Sequence, residues 1–129
     1  MYIEMGERRK LQKIHGMNLS KQTLNSFEDR SKTKICVIKC NEIGLSTACL
    51  LAEAGFKVIG ADKNIKIIET IKSGKSPFHE QGLEDLVSKN VKNGRLAVST
   101  NIKRAVSQSD VIIIVDDILV DKKGETRLL

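Results

Sequence analysis

Tryptophan is missing from this chain of 129 residues, and one tyrosine and three phenylalanines are its whole aromatic complement. So few rings leave no platform for successive bases, which argues against single-strand nucleic-acid binding. No apolar run approaches the roughly 20 residues of a membrane-spanning helix. The segment after Met1 lacks the apolar stretch of a secretory signal, so a cytoplasmic location is expected. The three cysteines, Cys36, Cys40 and Cys49, form no C-x-x-C pair, and His15 and His79 lie far from them in the chain. That spacing suggests neither a metal site nor a disulfide framework. It fits reduced, buried thiols in a reducing compartment.

Charge is present but uneven. Residues 1–34 hold eight Lys or Arg against four Asp or Glu, a balance of 8 − 4 = +4, and the remainder of the +6 total is +2. The excess basicity therefore sits in the leader. A basic leader could touch nucleic acid or an acidic surface, but a solvated tail is the plainer reading, and nucleic acid is not expected as a partner. Residues 1–33 are expected to be a basic, flexible extension, with at most a frayed helix over 7–17.

From Lys34 the pattern sharpens. Residues 34–38 and 57–61 are apolar without alternation, as in strands buried on both faces. Between them a small-residue helix over 43–54 ends at Gly55. Ile65, Ile68 and Ile71 recur at helical spacing up to Gly74. A loop around Pro77, the only proline, leads to a third helix from Leu83 with Gly94 after it. A short strand over 95–99 follows, then a helix for which Thr100 is a candidate cap, then an apolar strand over 110–115. The order β-α-β-α-α-β-α-β predicts an α/β fold with a parallel sheet and right-handed crossovers. This is the first half, about four strands, of a Rossmann-type doubly wound sheet, so residues 34–129 are expected to be an incomplete domain of that kind.

In such a sheet a ligand sits outside the carboxyl ends of the strands. The first strand-to-helix turn there takes the form G-x-G-x-x-G when it binds a dinucleotide. In that frame this chain has Lys39, Asn41 and Gly44. Only the third glycine, which lets helix and strand pack closely, is kept. The helix N-terminus, through Asn41, Ile43 and Gly44, still offers amides and a favourable dipole to an anion. Asp62 follows Asn41 by 21 residues, near the distance at which an acidic residue takes the ribose hydroxyls of NAD. It is equally placed to cap the next helix. Asp116 and Asp117 are paired carboxylates, but adjacent side chains diverge, so a metal or catalytic role is not expected of them. The loop over 73–86 holds His79 and Glu80, with no nucleophile nominated for either; no catalytic residue is assigned.

Taken together, "KICVI", "IGLSTACLLAEAGFKVIGADKN", "IIETIKSGKSPFHEQGLEDLV", "SDVIIIV" and "DKKGETRLL" resemble the N-terminal domain of nucleotide-sugar 6-dehydrogenases, such as UDP-N-acetylmannosamine and UDP-glucose 6-dehydrogenases. The resemblance runs over about residues 34–129. It implies NAD as cofactor, and oxidation of a nucleotide sugar to its uronate once a separate catalytic domain is supplied. It matches Gly44 to the last fingerprint glycine, Asp62 to the ribose-binding acid and Glu80 to the glutamate of a Glu-Pro-Gly-Leu loop. Lys39 and Asn41 depart at the two phosphate glycines, Gln81 at that loop's proline, and Asp116 to Leu119 where Pro-Thr-Pro is usual. Ser46 stands where proline is common. These departures imply weakened NAD binding, and the family's catalytic cysteine and lysine have no counterpart here. The other expectation is a non-enzymatic assembly or regulatory module, self-associating through the open edge of strand 110–115.

Overall fold

The structure, a computed structural model, describes residues 2–5, 11–13, 26–115, 118–120 and 126–128, with side chains over 26–115. Its centre is a parallel sheet of β3 (Lys34–Ile38), β4 (Lys57–Ala61), β5 (Leu96–Ser99) and β6 (Val111–Ile114), in the order β6-β3-β4-β5. Strand order reverses at β3, which is the first half of a doubly wound fold. Helices α2 (Glu42–Glu53), α3 (Ile65–Lys72) and α4 (Leu83–Lys92) cover one face, and α5 (Ile102–Ser107) covers the other.

The apolar strands explain this two-sided arrangement. Ile35, Val37 and Ile113 join Leu45, Ala48, Ile68 and Val87 in the larger core. Their neighbours Cys36 and Ile112 point the other way, into a smaller core with Ala61 and Ala105. Alternate side chains of one strand thus enter both layers. Asn90 is fully buried on α4, and its amide nitrogen donates to Glu53 Oε1 on α2 (3.0 Å) and to Leu86 O (2.8 Å).

Caps set the helix ends. Asn41 caps α2, Asn64 caps α3, and Asn101 caps α5 by accepting from Arg104 N (3.1 Å). The expected cap at Thr100 is therefore displaced by one residue. Gly55 follows α2 at φ +110, and a β-carbon there would meet the ring of Phe27 at 2.9 Å. That ring lies on α1 (Phe27–Ser31), and the Arg95 guanidinium sits 4.5 Å from its centroid.

Two expectations need correction, one about residues 1–33 and one about the edge of strand 110–115. Parts of this leader are built into the fold: β1 (Tyr2–Met5) and β2 (Leu11–Lys13) form an antiparallel hairpin, and α1 docks through Arg30 Nη1, which donates to Ala54 O (2.8 Å). The three described residues of the helix expected over 7–17 are strand. Further, β1 pairs antiparallel with β6. The β6 edge expected to be open for self-association is thus covered, because an apolar strand with unmade backbone bonds takes the nearest extended segment. Beyond β6, β7 (Ile118–Val120) and β8 (Thr126–Leu128) make a separate antiparallel pair. Asp116 and Asp117 lie outside the described residues.

Candidate functional site

Strand order reverses between β3 and β6, so the crevice lies beyond their carboxyl ends. The turn from β3 into α2 forms its floor. Lys39 stands at φ +84, the one non-glycine residue with left-handed backbone among those described. A side chain in that region costs about 1–2 kcal/mol. The turn nevertheless keeps the shape that a glycine would give. Lys39 N donates to Ala61 O (2.7 Å), and Cys40 N donates to Asp62 Oδ2 (2.9 Å). Both bonds tie the turn to the end of β4.

Gly44 is required by space. A β-carbon there would lie 1.9 Å from Lys39 O and 3.3 Å from Asn41 Oδ1. The packing role expected of the third glycine is thereby accounted for.

Asn41 does more than fill the second position. Its Oδ1 accepts from Gly44 N (2.8 Å), so one donor of the α2 N-terminus is satisfied within the chain. This is the donor set that holds an anion in a glycine-rich turn. Glu42, in the first turn of the helix, adds a negative charge beside it. One amide that a phosphate there would use is thus engaged by the Asn41 carboxamide.

The ribose end is different. Asp62 is half-buried at the end of β4. Besides Cys40 N, it accepts from Asn64 N through Oδ1 (2.9 Å). Asn64 itself caps α3, accepting from Lys66 N and Ile67 N, so the capping role considered for Asp62 belongs two residues on. An ionised carboxylate has about four acceptor sites. Two hydrogen bonds leave capacity for ribose hydroxyls. The residues present therefore fit the ribose of NAD, and the pyrophosphate fits only where the Asn41 side chain gives way.

Of the other sequence candidates, Ile43 is 58% exposed at the mouth of the turn. Ser46 Oγ donates to Glu80 Oε2 (3.2 Å) and so joins α2 to the Glu80 loop. Together Glu42, Ile43, Ser46, Thr47, Leu50 and Glu80 line a shallow groove of about 320 Å³. Sequence reading missed this groove. Its signal was the seven-residue spacing of Ile43 and Leu50, two turns apart on the face away from Ala48 and Ala52.

The three cysteines are buried thiols. Burial pushes the Cys40 thiol up to about 12, with the Asp62 charge adding to it. Burial likewise raises Cys36 and Cys49 to about 11. All three stay protonated at neutral pH and lack thiolate reactivity. No cluster of three metal-ligating side chains occurs among the described residues.

A reversed parallel half-sheet, a close-packed glycine and an acid at the end of the second strand define a dinucleotide-binding domain. The model of the UDP-glucose/GDP-mannose dehydrogenase family, NAD binding domain, matches residues 33–126, and the chain belongs to that family. It is 39% identical over 95 residues to UDP-glucose 6-dehydrogenase TuaD of Bacillus subtilis, covering 74% of this chain and 21% of that protein. It is 40% identical over 91 residues to UDP-N-acetyl-D-mannosamine dehydrogenase of Methanococcus aeolicus, covering 70% and 20%. Among solved structures, a ternary complex of GDP-mannose dehydrogenase from Pseudomonas aeruginosa superposes with a TM-score of 0.66 at 35% identity, covering 72% of this chain and 21% of that one. The chain thus spans about a fifth of the length of these relatives.

Proposed function

We propose that residues 34–115 are the cofactor-holding part of a cytoplasmic nucleotide-sugar 6-dehydrogenase, with a separate catalytic part bringing the UDP-sugar, UDP-N-acetylmannosamine or UDP-glucose. The observation that carries this reading is Asp62: a carboxylate at the end of β4, tied to the β3–α2 turn through Cys40 N. When bound, NAD supplies the hydride acceptor. The residues of this chain hold the cofactor. Asp62 accepts from the ribose hydroxyls, Gly44 keeps α2 close to the strand ends, and Gly44 N at the start of α2 becomes a donor to the phosphates once Asn41 turns away. An aspartate at this position also disfavours the 2′-phosphate of NADP by charge repulsion. Catalysis is not assigned to these residues, since Cys36, Cys40 and Cys49 are buried, protonated thiols. No described helix is long and apolar enough to cross a membrane.

The test is an NAD titration by calorimetry on the folded chain, repeated with Asp62→Ala. Hydrogen bonds to a charged group are worth about 1.5–3 kcal/mol. Saturable NAD binding that weakens roughly 10- to 100-fold on substitution is the expected outcome. Equal affinity in both proteins would remove Asp62 from the site.

A further inference from the structure

We propose that the antiparallel pair of β1 and β2 is an edge guard. It occupies the place beside β6 where a doubly wound sheet adds its fifth strand, and it keeps the chain from pairing β6 with a second copy. This is independent of NAD binding.

The case rests on backbone geometry. In the full doubly wound order, 3-2-1-4-5-6, a parallel fifth strand lies beside the fourth. Here β6 is that fourth strand, and β1 takes the next position with the opposite direction. The strand it covers is hazardous if left open. Val111, Ile112 and Ile113 are buried from both faces by the helical layers, so the edge is the one side left to cover. A short apolar run with unmade backbone bonds is a template for pairing with another chain. The outer strand β2, by contrast, is only three residues long and ends in Lys13, two devices that blunt an edge.

The register says which amides carry the pairing. Val115 N donates to Ile38 O in β3 (3.2 Å). Strand amides alternate sides every residue. Those of Ile113 and Val115 therefore face β3, and those of Ile112 and Ile114 face β1, opposite Glu4 and Tyr2. With the guard removed, the freed amides would meet their equivalents in a second copy, antiparallel about a two-fold axis.

Amide hydrogen exchange by NMR and light scattering on the full chain, with and without Glu4→Pro, test this. Proline removes the Glu4 donor and cannot sit within a paired strand. The unmodified chain should be a monomer in which Ile112 and Ile114 exchange as slowly as Ile113 and Val115. In Glu4→Pro, Ile112 and Ile114 alone should lose about tenfold or more of their protection at low concentration. They should regain it at high concentration as a dimer appears. A monomeric variant at every concentration, or one whose protection is unchanged, overturns the proposal. So do fast-exchanging Ile112 and Ile114 in the unmodified chain, a result that decides the matter even if the variant does not fold.

Discussion

Replacing Gly44 with alanine sets two physical effects against each other. Alanine is the better helix former, and inside an ordinary helix this change stabilises by about 0.5–1 kcal/mol. At Gly44 the added carbon would stand 1.9 Å from Lys39 O. Real β-carbons essentially never come within 3.0 Å, so the turn and α2 must separate by 3.0 − 1.9 = 1.1 Å. The obstacle is backbone, and it cannot rotate aside. Lys39 is itself bonded to Ala61 O, and α2 buries Leu45, Ala48, Cys49 and Ala52. A gap of about 1 Å forfeits up to half of the dispersion energy of the contacts it opens. Overpacking costs typically 1–3 kcal/mol, and the rigid partner puts this case at the upper end, about 3 kcal/mol. The net is a loss of about 2 kcal/mol, which in a domain of this size lowers Tm by about 10 °C. Circular dichroism melts with urea titration would measure both quantities. A Tm equal to or above that of the unmodified chain would refute the packing argument and leave the third glycine explained by some other need.

Three further outcomes follow from the site and the thiols. Asn41→Gly should raise NAD affinity about fivefold, because the capping bond to Gly44 N is worth about 1 kcal/mol; glycine is nearly as good an N-cap, so stability should fall by only a few tenths of a kcal/mol, and calorimetry beside a thermal melt separates the two. Asn41→Asp should cap at least as well yet bind NAD more weakly than the unmodified chain, since it places a charge in the anion seat; tighter binding would show that the seat lies elsewhere. The thiols give a pH dependence: Cys36, Cys40 and Cys49 are raised from 9.0 to about 11, 12 and 11, so the folded chain holds protons that the unfolded chain releases above pH 9. Stability should be level with respect to these groups below pH 8 and fall as pH rises from 9 toward 11, by up to about 1.4 kcal/mol per pH unit for each thiol. Urea midpoints that stay constant to pH 10.5 would contradict their burial.

The parts of the fold that sequence revealed are those fixed by local pattern. Residues 34–38 and 57–61 are strands because their apolar runs have no polar face to expose, and the structure gives the same bounds. Gly55, Gly74 and Gly94 mark chain reversals that need positive φ. The hairpin had no such signature. Its strands are four and three residues long and lie in a basic, polar stretch. What makes Tyr2–Met5 a strand is the open side of β6, more than a hundred residues away, and no window of sequence contains both. Asp62 shows the same limit on a smaller scale. Position alone left it between helix cap and ribose ligand. Its partner in the turn, Cys40 N, is 22 residues distant, and the cap of α3 is Asn64.

The two missing glycines therefore have different consequences. At residue 39, left-handed backbone is imposed from outside. Lys39 N is held by Ala61 O, Cys40 N by Asp62, and Lys39 O lies where α2 comes closest, over Gly44. With those restraints in place the turn does not need glycine to exist, and lysine there weighs on stability rather than shape. At residue 41 the backbone is extended, at φ −73 and ψ −175, a conformation any residue adopts. Glycine there serves by leaving the helix amides uncovered. Asparagine is among the residues best able to cover them, because its side chain is short enough to reach the N–H three residues on. A substitution that helps α2 begin thus closes the place where α2 would meet a phosphate. The change at this turn is local and chemical, which is why the strand order and the packing glycine stand unchanged around it.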